Sequence, residues 1–328
     1  MMRDHGGNLD MAVARFGAGS WIDLSTGINP IPYPVPAISS TTWTGLPTQT
    51  EIGRLMAAAL RCYASEADIA PLPGAQAAIQ LLPRLILPGC ARVLSPTYNE
   101  HAASLAAAGW TVEPVATPEA LRGADLAVVV NPNNPDGRTL SLPTLLDLSH
   151  DVGLLIVDES FADATPEVSL APQAGRKNLI ILRSFGKFYG LAGLRLGFAL
   201  GSPEIIASLR ELAGPWPVSG PAIEIGTAAL SDTNWQEATR ARLALEADLL
   251  DALALAAGWQ CVGGTSLFRL FAVPDAITAQ EALARHHIWS RIFPFSRHWI
   301  RLGIPGCAPE WTRLAEALKP VSPPRGES

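Results

Sequence analysis

The stretch Ser184-Phe185-Gly186-Lys187-Phe188-Tyr189-Gly190-Leu191-Ala192-Gly193-Leu194-Arg195-Leu196-Gly197 follows the apolar run Leu179-Ile180-Ile181-Leu182 and sets one lysine among small and apolar neighbours, eight residues before an arginine. The chain holds only three lysines, Lys177, Lys187 and Lys319, and Lys187 alone lies in an apolar setting. Desolvation lowers a lysine's pKa and makes it a nucleophile able to form a Schiff base with an aldehyde. A lysine on an exposed loop after a strand is the other reading of this segment taken alone.

Outward from this stretch, apolar runs of strand length recur at residues 92–94, 126–130, 154–157 and 179–182. Helical spacing of apolar residues over 51–63, 74–82, 101–108 and 142–150 separates or precedes them. That alternation predicts an α/β domain built on a mostly parallel sheet buried on both faces. After Pro215-Trp216-Pro217 the pattern changes. A long helical region over 223–257, strand-like runs at 266–271, 289–292 and 299–302, and helices over 279–286 and 310–318 predict a smaller α+β domain. The expected division is an N-terminal segment 1–39, rich in proline and read as an extended connector joining the small domain and the substrate site, a large domain 40–214, a small domain 215–320 and a disordered tail 321–328.

Composition narrows the function. A chain of 328 residues is long enough for a large core, and a net charge of -6 argues against nucleic acid as a partner, since phosphate-backbone binding needs a basic face. Cys62, Cys90, Cys261 and Cys307 are scattered, which suggests neither a metal site nor a disulfide framework. Charge and Gly6-Gly7 occupy the first residues where a secretion signal would be apolar, and no run is long enough to span a membrane. A cytoplasmic protein is expected.

Four stations accompany Lys187. Gly74-Ala75-Gln76 opens a helix whose free N–H groups and dipole suit a phosphate. Tyr98, just after a strand, offers an aromatic face to a planar ring. Asn131-Pro132-Asn133-Asn134-Pro135-Asp136-Gly137 makes a rigid turn that can aim Asn134 at a ligand oxygen. Asp158 closes the apolar strand Leu154-Leu155-Ile156-Val157 and needs a partner, because burying an unpaired charge is expensive. A protonated ring nitrogen is one such partner; an arginine or a helix N-terminus is another. Each station taken singly also reads as plain structure: a helix start, a packing tyrosine, a turn.

In this order and spacing the residues resemble the aminotransferase-like fold type I family of pyridoxal-phosphate enzymes, over nearly the whole chain. The resemblance implies that Lys187 holds pyridoxal 5'-phosphate as a Schiff base and that Asp158 keeps its ring nitrogen protonated. It further implies that Asn134 bonds the phenolic oxygen, that Tyr98 stacks on the ring, and that Gly74, Ala75, Gln76, Ser184 and Arg195 bind the phosphate. Arg301, in Trp299-Ile300-Arg301-Leu302-Gly303, matches the arginine that grips a substrate α-carboxylate. The family also implies a homodimer.

Within that family the chain is similar to the histidinol-phosphate aminotransferase branch and, more closely, to its decarboxylating relatives that act on L-threonine O-3-phosphate in cobalamin biosynthesis. His5-Gly6-Gly7-Asn8, Asp23-Leu24-Ser25-Thr26-Gly27-Ile28-Asn29-Pro30, Pro215-Trp216-Pro217-Val218 and Asp158-Glu159-Ser160-Phe161 carry that likeness. It implies decarboxylation to (R)-1-amino-2-propanol O-2-phosphate, with His5, Gly7 and Asn29 as substrate contacts; the glycines beside His5 would leave N–H groups open to an anion. Two departures stand out. Gly45-Leu46-Pro47 lacks the tyrosine that relatives extend to the neighbouring subunit's cofactor phosphate, and Asp136 replaces a threonine. The alternatives are a histidinol-phosphate-type aminotransferase, a non-catalytic ligand-sensing domain, which the acidic charge and lack of a DNA-binding module disfavour, and a homologue that has lost its cofactor, which intact Lys187, Asp158, Asn134 and Arg195 oppose.

Overall fold

The computed structural model describes residues 5–319; the tail expected at 321–328 lies outside them. Contacts divide the chain into two units, Pro32–Arg240 and, from its two ends, the residues up to Ile31 together with those from Ala241 onward. The boundaries expected at 39/40 and 214/215 both lie inside the larger unit. Helix Gly220–Ser231 packs on helix Gln49–Cys62, and Thr42 Oγ1 donates to Glu224 at 2.7 Å, so the helix beyond the second boundary is part of this unit.

The larger unit is built on seven strands: β1 (Asp68–Leu72), β2 (Cys90–Leu94), β3 (Thr111–Val115), β4 (Leu126–Val130), β5 (Leu155–Asp158), β6 (Leu179–Ser184) and β7 (Gly197–Gly201). Their order across the sheet is β1-β7-β6-β5-β4-β2-β3. Every pairing is parallel except those of β7, which runs against both β6 and β1. The mostly parallel sheet is thus present, with one reversed strand. β4 and β5 are buried at every residue and are made of Leu, Ile, Val and Ala up to Asp158, as strands covered on both faces require. Leu126, Val128, Ile156, Ile180 and Leu182 meet Ala78, Ile79, Leu105 and Leu209 from the covering helices in one core.

Three strands escape the apolar-run criterion. β1 carries Asp68 and Pro71, β7 is Gly-Phe-Ala-Leu-Gly, and β3 is an edge strand whose exposed face and Pro114 remove any apolar pattern.

The smaller unit holds a four-stranded antiparallel sheet in the order Arg291–Phe293, Ser296–Gly303, Phe268–Ala272, Gln260–Thr265. Ile22–Asp23 pairs in parallel with Ile288–Trp289. The N-terminal segment is not wholly extended, as the sequence reading has it: Leu9–Phe16 is a helix. Asn8 caps it by accepting from Met11 N at 3.3 Å, and its apolar side packs Leu9, Ala12 and Phe16 beside Ala284 and Trp289. The helical region expected over 223–257 breaks at Asp232 into Gly220–Ser231 and Thr233–Ala256.

Candidate active site

In the larger unit the predicted residues gather along one edge of the sheet. β2, β4, β5 and β6 end there and lead into Tyr98, Asn134, Asp158 and Ser184 with Lys187, while β1 leads into Gly74. Antiparallel β7 begins there, so Arg195, two residues before it, joins them; Gly197 pairs with both Leu72 and Ser184. Strand carboxyl ends are where open α/β sheets bind ligands.

Lys187 sits half-buried in the helical turn Phe185–Phe188, flanked in sequence by Phe185 and Phe188, whose rings are fully buried, and its Nζ lies 5.4 Å from the centre of the Phe161 ring. Lys177 and Lys319 are exposed. The apolar surroundings expected for a reactive amine are therefore present at Lys187 alone.

Asp158 is buried, and its partner within the chain is neither an arginine nor a helix terminus. His101 Nε2 lies 2.8 Å from Asp158 Oδ2, while Asp158 Oδ1 accepts from Ser160 N at 2.9 Å and Ser160 Oγ at 2.5 Å. Burial pushes the carboxyl's pKa up, but the hydrogen bond and charge of His101 and the two bonds from Ser160 outweigh it and hold the group below its usual value. The site thus maintains a buried negative charge. Sequence reading missed His101; its place three residues after Tyr98, on helix Asn99–Ala107, was the available signal.

Gly74 and Arg195 come together in a turn that can receive an anion. The Gly74 φ of +81° favours glycine, and a Cβ there would stand 2.7 Å from Arg195 Nη2, so the guanidinium lies against the start of helix Ala75–Leu81. A Cβ on Gly197 would meet Ala75 N at 2.4 Å, which shows how tightly β7 backs that helix start. The Gln76 side chain, by contrast, is committed elsewhere: it accepts from Tyr98 Oη at 3.2 Å and donates to Glu100 at 2.8 Å. What Gln76 can offer an anion is its backbone N–H.

In the loop after β4, Asn133 accepts from Thr97 Oγ1 at 2.6 Å and donates to Pro96 O at 3.0 Å, and Asn131 Oδ1 accepts from Leu140 N at 2.7 Å. Asp136 closes the turn by accepting from Asn133 Nδ2 at 2.8 Å and Arg138 N at 3.0 Å. The replacement noted at Asp136 therefore preserves the loop that presents Asn134.

The smaller unit carries the second group of residues. Arg301 is 5 % exposed, donates to Ser25 O at 2.6 Å and lies over the Phe268 ring at 4.9 Å. Burial, with Arg291 adding to it and Asp23 opposing, lowers its pKa to about 9. Arg291 is its direct cross-strand partner, so both side chains leave the same face of the sheet. His5 and Arg291 line a cavity of about 360 Å³ with Ser25 and Ser290. Arg301, Gly7 and Asn29 are not among its lining. Gly7 N donates to Ser25 Oγ at 2.7 Å, which closes the N–H expected to stay open, and buried Asn29 accepts from Arg242 Nη2 at 2.7 Å. Arg291 was missed because strand register, not sequence, sets it opposite Arg301.

An amine at the end of β6, a buried carboxylate kept ionised, and an arginine over a glycine turn define a class of site. Residues 39–318 match the aminotransferase class I and II family, and the chain belongs to that family. It is 42% identical over 324 residues to the threonine-phosphate decarboxylase of Sinorhizobium sp, covering 96% of this chain and 97% of that one. Identity to the threonine-phosphate decarboxylase of Pseudomonas aeruginosa is also 42%, over 99% of this chain and 100% of the relative. Among solved structures, histidinol-phosphate aminotransferase from Sinorhizobium meliloti in complex with pyridoxal-5'-phosphate superposes with a TM-score of 0.84 at 22% identity, over 94% of this chain and 93% of that one, which shows the shared fold.

Proposed function

We propose that the protein is a pyridoxal 5'-phosphate-dependent carboxy-lyase that converts L-threonine O-3-phosphate to (R)-1-amino-2-propanol O-2-phosphate, the linker of the cobalamin nucleotide loop. The observation that carries this reading is the end-to-end similarity to two threonine-phosphate decarboxylases.

The residues present fit the cofactor. The Gly74 turn with Arg195 and Ser184 suits its phosphate, ionised Asp158 suits a protonated ring nitrogen, and the Lys187 amine suits its aldehyde. When bound, pyridoxal phosphate supplies an electron sink for the pair left at Cα when the carboxylate departs. Tyr98 would cover the ring face and Asn134 would bond its phenolic oxygen. Arg301 would hold the substrate carboxylate, and Arg291 and His5 would serve the substrate phosphate; Gly7 N and Asn29 Oδ1, engaged by Ser25 and Arg242, take no part in it. Two cross-strand arginines match a substrate with two anionic groups. Lys187 would return one proton to Cα, balancing the loss of carbon dioxide.

A homodimer and a cytoplasmic location belong to the same proposal. Trp43 and Leu46, each 67% exposed, are apolar surface of the kind a second copy would cover. No helix among the described residues is long and apolar enough to cross a membrane.

The test is incubation of the cofactor-loaded protein with L-threonine O-3-phosphate, beside histidinol phosphate with 2-oxoglutarate. Carbon dioxide and aminopropanol phosphate from the first support the proposal. A keto product from the second, with no carbon dioxide from the first, overturns it in favour of an aminotransferase.

A further inference from the structure

Behind the site lies a buried ionic cluster that the chemistry above does not use. Arg183, 2 % exposed, donates through Nη1 to Glu159 Oε2 at 2.7 Å and to Ser169 Oγ at 3.0 Å, and through Nη2 to Asp163 Oδ1 at 2.5 Å. Its guanidinium lies 4.3 Å from the centre of the Tyr63 ring. Glu159 also accepts from Leu170 N and Ser169 Oγ, and its own N–H donates to Leu182 O at 2.9 Å.

Each member adjoins a residue of the site. Glu159 follows Asp158, Arg183 precedes Ser184, and Asp163 lies two residues beyond Phe161, whose ring is next to Lys187 Nζ. Successive strand side chains leave opposite faces, so Arg183 reaches away from the face that Ser184 presents. One guanidinium thereby ties the segment 158–163 to the end of β6, from which Lys187 follows.

Stability is a poor reason to keep such a cluster, because a packed apolar replacement of a buried ion group is often neutral or better. Asp163 Oδ2 and Arg183 Nε, moreover, have no hydrogen-bond partner among the described residues. We infer that Arg183, Glu159 and Asp163 form a positioning device that sets Asp158, Ser184 and Lys187 in register for the cofactor; this rests on the pyridoxal phosphate reading.

The experiment titrates pyridoxal phosphate into the apo form of the full chain by tryptophan fluorescence and records the pH midpoint of the loaded protein's visible band. It compares wild type with Glu159→Gln, Arg183→Met and Arg183→Lys. Glu159→Gln and Arg183→Met are expected to raise the cofactor Kd about tenfold, equivalent to about 1.4 kcal/mol, and to move the midpoint. KM for L-threonine O-3-phosphate at saturating cofactor stays near wild type, and Arg183→Lys recovers most of the affinity. Variants that melt earlier yet bind the cofactor with wild-type Kd and midpoint would show a merely structural role and overturn the inference. If Arg183→Met does not fold, the near-isosteric Glu159→Gln decides. A wild type that binds no pyridoxal phosphate is a separate failure, which overturns the underlying reading.

Discussion

His101 and Asp158 meet with Nε2 and Oδ2 2.8 Å apart, each side chain 3% exposed. The pair explains how a carboxylate at the end of an apolar strand stays ionised before any ligand reaches it. Burial alone would raise the pKa of Asp158; His101 and Ser160 more than offset that.

Removing His101 exposes the cost. Because the folded pKa of Asp158 is depressed, its ionisation contributes stability above the unfolded value of about 3.9, and that contribution is lost as pH falls through the lower folded value. His101→Ala is expected to destabilise by about 2 kcal/mol at neutral pH, the scale of a buried hydrogen bond to a charge. The gap should narrow as pH falls below about 4. Urea denaturation of both proteins at pH 7 and pH 3.5 measures it, and a gap independent of pH would contradict the assignment.

Gly74→Ala tests the anion cradle. The new methyl group meets the movable end of Arg195 rather than backbone, so the fold should survive with a loss of about 1–3 kcal/mol from a backbone conformation that is nearly glycine-only. The displaced guanidinium should weaken pyridoxal phosphate binding about tenfold or more, equivalent to about 1.4 kcal/mol. Fluorescence titration of the apo protein checks this; unchanged affinity would remove Arg195 from the phosphate site.

Arg301 carries a burial cost that its proposed hold on the substrate carboxylate would account for. Its folded pKa of about 9 lies below the ordinary 12.5, so the unfolded chain holds more protons between those values and the penalty of burying the charge fades as pH rises through that window. Arg301→Met is expected to leave stability unchanged or raise it by about 1–3 kcal/mol at pH 7.5, with the gain shrinking above pH 9. It should raise KM for L-threonine O-3-phosphate about a hundredfold while sparing cofactor affinity, a loss of about 2.7 kcal/mol in substrate binding. Melting curves and steady-state kinetics on one preparation read both effects.

What the sequence disclosed follows from where each signal is stored. β4, β5 and β6 announce themselves because strands buried on both faces must be continuously apolar, and Lys187 and Asp158 stand out against those runs. β3 and the strand Gln260–Thr265 are mostly exposed, and the latter contains Gly263-Gly264, so neither carries an apolar pattern. Helix Leu9–Phe16 hid behind the reading of its segment as an extended connector, although Asn8 is a competent cap. His101 and Arg291 were invisible for a different reason. Their partners, Asp158 and Arg301, lie 57 and ten positions away, and only the fold sets them face to face.

In the proposed reaction the bond from Cα to the carboxylate breaks while the bond from Cα to hydrogen survives. Running the reaction on L-threonine O-3-phosphate in deuterium oxide and reading the product by proton NMR tests it directly. The expected result is one carbon dioxide per substrate and aminopropanol phosphate carrying one solvent deuteron beside the retained hydrogen, with both abolished in Lys187→Ala. Loss of the original Cα hydrogen to solvent, or a keto product formed without carbon dioxide, would contradict it.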